Sequence, residues 1–378
     1  MVLGVWYGDW ESIMATFDVV FEGGGAKGSA FVGALEALAE GGHRTERLIG
    51  TSAGAITATL LAAGFTPAEM LEAVNEKAAD GRPRFAEFMD TPVGADFSDT
   101  QRAGSQFLRM LEGAEERSLF GFVRSAASRP LLDRLLLNPQ FCQLFSFVER
   151  GGLYAGNKFL IWLEEKLAAK GIARGTTLAQ MNTLKGCDLS MVVTDTSANE
   201  ALVLNHRTSP EVPVAWAVRM SMSIPFVWQE VVWRQEWGRY LGEDIAGHVV
   251  VDGGVLSNFP LHLIGNQSPA VARIMGSEAD PGRARNLGLL IDEAAEVPGA
   301  GEARRERRKL ATLGRVERLI DTMTGARDNE TIRDRAQEVC RLPAKGYGTT
   351  EFDMSPERTK ALLDAARAAM RSYLQGLA

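Results

Sequence analysis

Two glycine-rich turns near the start of the chain constrain its fold more than any other feature. Gly23-Gly24-Gly25-Ala26-Lys27-Gly28 and Gly50-Thr51-Ser52-Ala53-Gly54 each follow a short apolar, β-branched run and precede an apolar stretch. The runs before them, Thr16 to Glu22 and Arg47 to Gly50, read as strands. After the first turn Phe31, Val32, Leu35, Leu38 and Ala39 recur at helical spacing, and Ala53 to Ala63 forms a second apolar helix. Gly41-Gly42 and Gly64 stop these helices. Thr66-Pro67-Ala68-Glu69 reads as a capping box with proline at the first helical position, so a third helix follows. Strand, helix, strand, helix in that order predicts an α/β fold with a parallel sheet covered by helices.

Farther along, strand-like runs return at Asp188 to Thr194, Glu200 to Leu204, Pro225 to Trp233, His248 to Val251 and Asn286 to Ile291. Between the two strand-rich parts the chain is rich in phenylalanine and broken by Pro83, Pro92, Pro130 and Pro139. We read a helical insertion over about residues 81–185, lying on the sheet as core helices or as a cover. Residues 1–295 then form the core. Residues 296–378 form a helical region packed on it, closed by a helix from Ser355-Pro356 whose Leu362, Leu363, Ala366, Met370, Tyr373, Leu374 and Leu377 share one face.

Composition narrows the function classes. Hydrophobic residues are 46% and charged residues 24%, which excludes wholesale disorder. The uncharged stretch Leu48 to Ala68 contains Gly50, Gly54 and Gly64, so it reads as strand, turn and helix rather than a membrane span. A net charge of −7 provides no basic field for nucleic acid. No basic residue stands between Met1 and Phe21, so no secretory signal is expected there. Three widely spaced cysteines, Cys142, Cys187 and Cys340, point to a reducing, cytoplasmic setting.

Gly50 to Gly54 is a G-x-S-x-G between a strand and a helix. A serine on such a sharp turn needs small neighbours, and it sits at a helix N-terminus where developing negative charge is favoured. The first turn also matches G-x-G-x-x-G. A dinucleotide site wants an acid at the end of the second strand, and Thr51-Ser52 stands there instead. Ser29 occupies the lysine position of a phosphate-binding P-loop. What remains is a run of backbone N–H groups at a helix start, suited to an anion or an oxyanion. A third element, Val249-Val250-Val251-Asp252-Gly253-Gly254, puts a carboxylate at a strand end. It reads either as an ordinary turn or as a catalytic acid.

The combination of Gly23 to Gly28, Gly50 to Gly54 and Asp252-Gly253-Gly254 resembles the patatin-like phospholipase family. Thr194-Asp195, Arg219 to Phe226 and Asn258-Phe259-Pro260 match further family segments, so the resemblance covers roughly residues 17–65 and 186–292. It implies a three-layer α/β fold and a lipid acyl hydrolase of phospholipase A or lysophospholipase type. Ser52 would be the nucleophile and Asp252 its direct base. Gly24, Gly25 and Ala26 would form the oxyanion hole, and Gly23, Lys27, Gly28, Gly50, Gly54, Gly253 and Gly254 would support these motifs. Lys27 stands where many members carry arginine.

No cofactor or metal is implied. The substrate would be a lipid at a membrane surface, with peripheral attachment. An activating partner or small signal acting at the C-terminal region is compatible with the sequence but has no direct sign in it. Two other readings stay open: an esterase or thioesterase on soluble substrates, where His262 alone follows the acid in triad order, and a nucleotide- or phosphate-binding regulatory module. The basic run Arg304, Arg305, Arg307, Arg308, Lys309, Arg315 and Arg318 reads as a solvated helix face or as a contact for anionic headgroups.

Overall fold

The first strand, β1 (Thr16–Phe21), is buried on both sides: Phe17, Val19, Val20 and Phe21 are all essentially inaccessible. A strand of that kind belongs in the middle of a covered sheet. In a computed structural model describing residues 14–110, 128–276, 283–300, 330–349, 351 and 354–377, it lies between β2 (Arg44–Thr51) and β9 (Arg285–Asp292). The sheet runs β10-β9-β1-β2-β4-β8-β7, with β4 at Asp188–Asp195, β7 at Val231–Val232, β8 at Val249–Asp252 and β10 at Val339–Pro343. The pairings from β10 through β4 are parallel, whereas β8, β7 and β5 (Glu200–Leu204) join antiparallel. This is the mostly parallel, helix-flanked α/β architecture expected from the motifs.

The helices after the two glycine turns form where the apolar spacing placed them. These are α1 (Ala30–Glu40), α2 (Ala53–Ala63) and α3 (Pro67–Val74), the last opened by the Thr66–Glu69 capping box. The last described helix, Pro356–Leu377, packs on α1 and on the edge strand β10. Its Leu362, Leu363, Ala366 and Met370 are buried, and Arg367 pairs with Glu36. The two helices approach so closely at Gly33 that a Cβ there would overlap the Leu363 carbonyl.

Two strands escaped the sequence reading. β10 closes the sheet edge and ends in Pro343, which fits an edge position but breaks a strand pattern. β3 (Gly152–Tyr154) pairs with β6 (Phe226–Trp228) in a separate two-stranded sheet. The run Pro225 to Trp233, expected as one strand, is therefore two. Phe226 has φ 68, and the chain leaves one sheet at Gln229-Glu230 before entering the other as β7. Within the described part of the 81–185 segment, short helices dominate, including Pro139–Arg150 and Asn157–Ala169. Leu119, Phe120, Phe122 and the basic run from Arg304 to Arg318 lie outside the described residues.

One feature of the sheet positions the site. Strand β4 pairs with β2 through Thr51↔Val192 and with β8 through Asp252↔Val193. Because β5 occupies the other edge of β4 along the same residues, β2 and β8 share one edge. They run in opposite directions and meet end to end. The C-terminal ends of β2 and β8 thus converge at adjacent β4 residues, a step of roughly 3.3 Å.

Candidate active site

Ser52 lies just beyond β2, at the start of α2, with φ 52 and ψ −118. That is an unfavourable conformation for a residue with a side chain, costing on the order of 1–3 kcal/mol. Its surroundings enforce it. A Cβ on Gly50 would overlap the Gly54 backbone, and one on Gly54 would overlap the Phe21 carbonyl, so the turn closes only with glycine at both places. The Ser52 N–H donates to Ser221 Oγ at 2.9 Å, and Ser221 Oγ in turn donates to the Val192 carbonyl at 2.7 Å. The Ser52 carbonyl accepts the first helical bond, from Ile56 N–H.

Asp252 ends β8 and is buried. Its N–H donates to the Ser223 carbonyl at 3.0 Å, and its Oδ1 accepts from Gly254 N–H at 2.7 Å. Oδ2 is buried without a hydrogen-bond partner. Burial pushes the carboxyl up to about 7, partly opposed by the Gly254 N–H and by the Ser52 side chain. The serine hydroxyl is thus close enough to favour the carboxylate, while no fully formed hydrogen bond yet joins it to Oδ2. Such contacts are often loose before substrate arrives.

The segment from Arg219 to Ser223 holds both groups. Ser221 takes the Ser52 amide and Ser223 takes the Asp252 amide. Arg219 is fully buried and donates to Ser223 Oγ and to the carbonyls of Ala155 and Gln229 at 2.9 and 3.1 Å. Burial lowers its pKa to about 10, which still leaves it charged at neutral pH. Sequence reading marked this segment only by resemblance and gave no role to Ser221. The available signal was a polar residue inside an apolar stretch.

The first glycine turn borders the serine: a Cβ on Gly23 would lie 3.3 Å from Ser52 Cβ. Asn258 fastens this turn to the one after β8. Gly23 N–H donates to the Asn258 carbonyl at 3.0 Å, and Asn258 Nδ2 donates back to the Gly23 carbonyl at 3.1 Å. Lys27 is buried and pairs with Glu293 beyond β9. The N–H groups of Gly24 and Gly25 have no acceptor among the described residues. Ala26 differs, because its N–H donates to the Thr349 carbonyl at 2.8 Å. Gly28 packs against Ala53, and Gly253 against the Val192 carbonyl and Thr51. Thr194 Oγ1 reaches the Gly253 carbonyl at 3.5 Å, and Asp195 Oδ1 accepts from Ser197 and Ala198 N–H.

None of the four histidines is a partner of Ser52 or Asp252 among the described residues. His248 pairs with Asp195 at 2.7 Å, His206 lies beside Asp188, and His43 accepts from Ala15 N–H. His262 is exposed on the short turn Leu261–Leu263. No group of three or more metal-ligating side chains occurs among the described residues.

A cavity of about 2020 Å³ opens at Ser52. Ile56 and Leu60 of α2, Met70 and Val74 of α3, and Phe85, Phe88 and Trp162 form much of its wall. It is larger than the roughly 300–1,000 Å³ of ordinary small-molecule pockets, and its wall is chiefly apolar.

The sequence profile described as Patatin-like phospholipase matches residues 19–264, which is most of the chain and includes every element of this site up to Asn258. The chain belongs to the patatin-like phospholipase family. Membership makes it a lipid ester hydrolase. Protein YqhO of Bacillus subtilis (strain 168), itself uncharacterized, is 28% identical over 365 residues, covering 95% of this chain and 98% of that protein. The crystal structure of VipD from Legionella pneumophila has the same fold, with a TM-score of 0.50 at 16% identity over 95% of this chain and 67% of VipD. ExoU, a type III effector of Pseudomonas aeruginosa, superposes with a TM-score of 0.41 at 17% identity, over 96% of this chain and 53% of ExoU. Among the described residues no helix is long and apolar enough to cross a membrane.

Proposed function

We propose that this patatin-like protein hydrolyses phospholipid or lysophospholipid acyl esters through a Ser52–Asp252 dyad. What supports the reading is that the strand ends carrying Ser52 and Asp252 converge on adjacent residues of β4, and that Asp252 is a buried carboxyl whose pKa of about 7 makes it a far better base than an exposed aspartate. Ser52 Oγ attacks the ester carbonyl as its proton passes to Asp252. The tetrahedral oxyanion is held by the N–H groups of Gly24 and Gly25. Ala26 N–H, committed to Thr349, is left out of this role. Asp252 returns the proton to the departing alcohol, leaving an acyl-Ser52 ester. Water, deprotonated by Asp252, then releases the fatty acid and restores the hydroxyl.

The acyl chain occupies the apolar cavity between α2, α3 and the segment Arg84–Phe88. Residues 1–295 act as the catalytic core, and the 81–185 insertion supplies the cavity wall at Phe85, Phe88 and Trp162 and serves as its cover. Lipid reaches the site from a membrane surface to which the protein attaches peripherally. Labelling with a fluorophosphonate followed by mass mapping tests the dyad. The adduct belongs on Ser52, is absent from Ser52→Ala and forms slowly in Asp252→Asn. An adduct on another serine, or unchanged labelling of Asp252→Asn, overturns it.

A further inference from the structure

One wall of the glycine turn comes from residues far beyond those the family profile matches. Gly346 to Thr349 passes directly over it. The Thr349 carbonyl accepts from Ala26 N–H at 2.8 Å. Gly25, at φ 55, lies so close that a Cβ would overlap that same carbonyl oxygen.

Gly346, Tyr347 and Gly348 of this strap are held from behind. Arg358, in the first turn of the helix Pro356–Leu377, is buried and donates to the Gly346 carbonyl at 2.8 Å and to the Ala300 carbonyl at 3.1 Å. Its guanidinium carbon stands 4.1 Å over the Tyr347 ring, and Tyr347 Oη donates to the Arg358 carbonyl at 3.0 Å. Arg358 also forks onto Glu351, from Nε at 2.9 Å and Nη2 at 3.1 Å. Glu351 Oε2 accepts from Gly348 N–H at 3.1 Å. The strap therefore hangs between a charged, doubly bonded anchor and a single hydrogen bond to the glycine turn.

Three successive glycines lose more conformational freedom on ordering than any other sequence, and an oxyanion hole stabilises charge only when its donors are fixed beforehand. We propose that the Gly346–Thr349 strap supplies this ordering. Arg358 is a positioning residue that, with Glu351, keeps the Thr349 carbonyl on Ala26. This stops the Ala26 peptide from turning and leaves the Gly24 and Gly25 N–H groups facing the reacting carbonyl. The inference rests on the oxyanion role proposed above for those two amides. It makes the C-terminal region part of the active site. Asn258 pins one end of the turn and the strap pins the other.

The test compares the full-length wild type with Arg358→Met, Arg358→Lys and Glu351→Gln. Amide hydrogen exchange over residues 23–29 is read together with kcat and KM on a soluble p-nitrophenyl ester and with the melting temperature. Lysine cannot reproduce the planar fork, so it counts as a disrupting change. Glu351→Gln keeps the shape of the side chain and decides the matter where an Arg358 variant does not fold. Expected are faster exchange in the glycine turn and a kcat about 10- to 100-fold lower with KM within about twofold. Variants that melt earlier but keep wild-type exchange and kcat at 25 °C would assign Arg358 to stability alone and overturn the proposal. If the wild type hydrolyses the ester without using Ser52, the dyad reading fails, and the exchange data still decide whether the strap orders the turn.

Discussion

As the base of the proposed dyad, Asp252 would link activity and stability with opposite signs. Burial holds its carboxyl at about 7, against a reference of 3.8. Only the carboxylate can take the serine proton, so kcat/KM should rise about tenfold per pH unit up to about pH 7 and then level off. About one hundredth of the plateau should remain at pH 5. The same shift acts on folding. A raised folded-state pKa means that the native protein binds this proton more tightly than the unfolded chain. The associated stability is fully present below about pH 3.8 and is lost as pH rises through about 7. About three pKa units at about 1.4 kcal/mol each set an upper bound near ~4 kcal/mol, of which roughly 2–3 kcal/mol falls between pH 5 and 8.5. Asp252→Asn does not titrate. Urea unfolding of the two proteins across that range should show the variant gaining on the wild type by that amount toward alkaline pH. Its ester hydrolysis should fall about 10²- to 10⁴-fold, the usual worth of a general base. A kcat/KM flat from pH 5 to 8.5, a half-point near 4, or a variant that loses ground at alkaline pH would refute the reasoning.

Ser221→Ala should destabilise by about 1–3 kcal/mol, since it leaves the Ser52 N–H and the Val192 carbonyl without their buried partner; it should lower kcat more than KM in steady-state assays, and fluorophosphonate labelling of Ser52 should slow in step. Gly54→Ala should cost at least about 2 kcal/mol in a urea titration, because its Cβ overlaps the backbone at the end of β1. A wild-type midpoint there would mean that the turn has room to spare. His262→Ala should retain activity within about threefold on any ester substrate, as expected for an exposed side chain outside the site; a loss of several orders of magnitude would put a triad in place of the dyad.

Local chemistry was written in the sequence. The two glycine turns, the helices after them and the capping box at Thr66 depend on residues near one another in the chain, where β-branched runs, apolar spacing and glycine leave few alternatives. Ser52 could be singled out by the small residues around it on a strand-to-helix turn, whereas Asp252 by itself read equally as an ordinary Asp-Gly turn and stood out only in combination with the two glycine turns. The convergence of their strand ends could not be read that way. It depends on β2 and β8 sharing one edge of β4 and ending at Val192 and Val193, a register set by packing across the whole sheet. The roles of Ser221 and Arg219 were hidden for the same reason, since a buried polar side chain declares its partner only when the elements around it have closed. The strap was hidden more deeply still. Its contact with the glycine turn is made by a backbone carbonyl, which every residue carries, so only the docking of the helix Pro356–Leu377 against α1 decided which carbonyl would lie there.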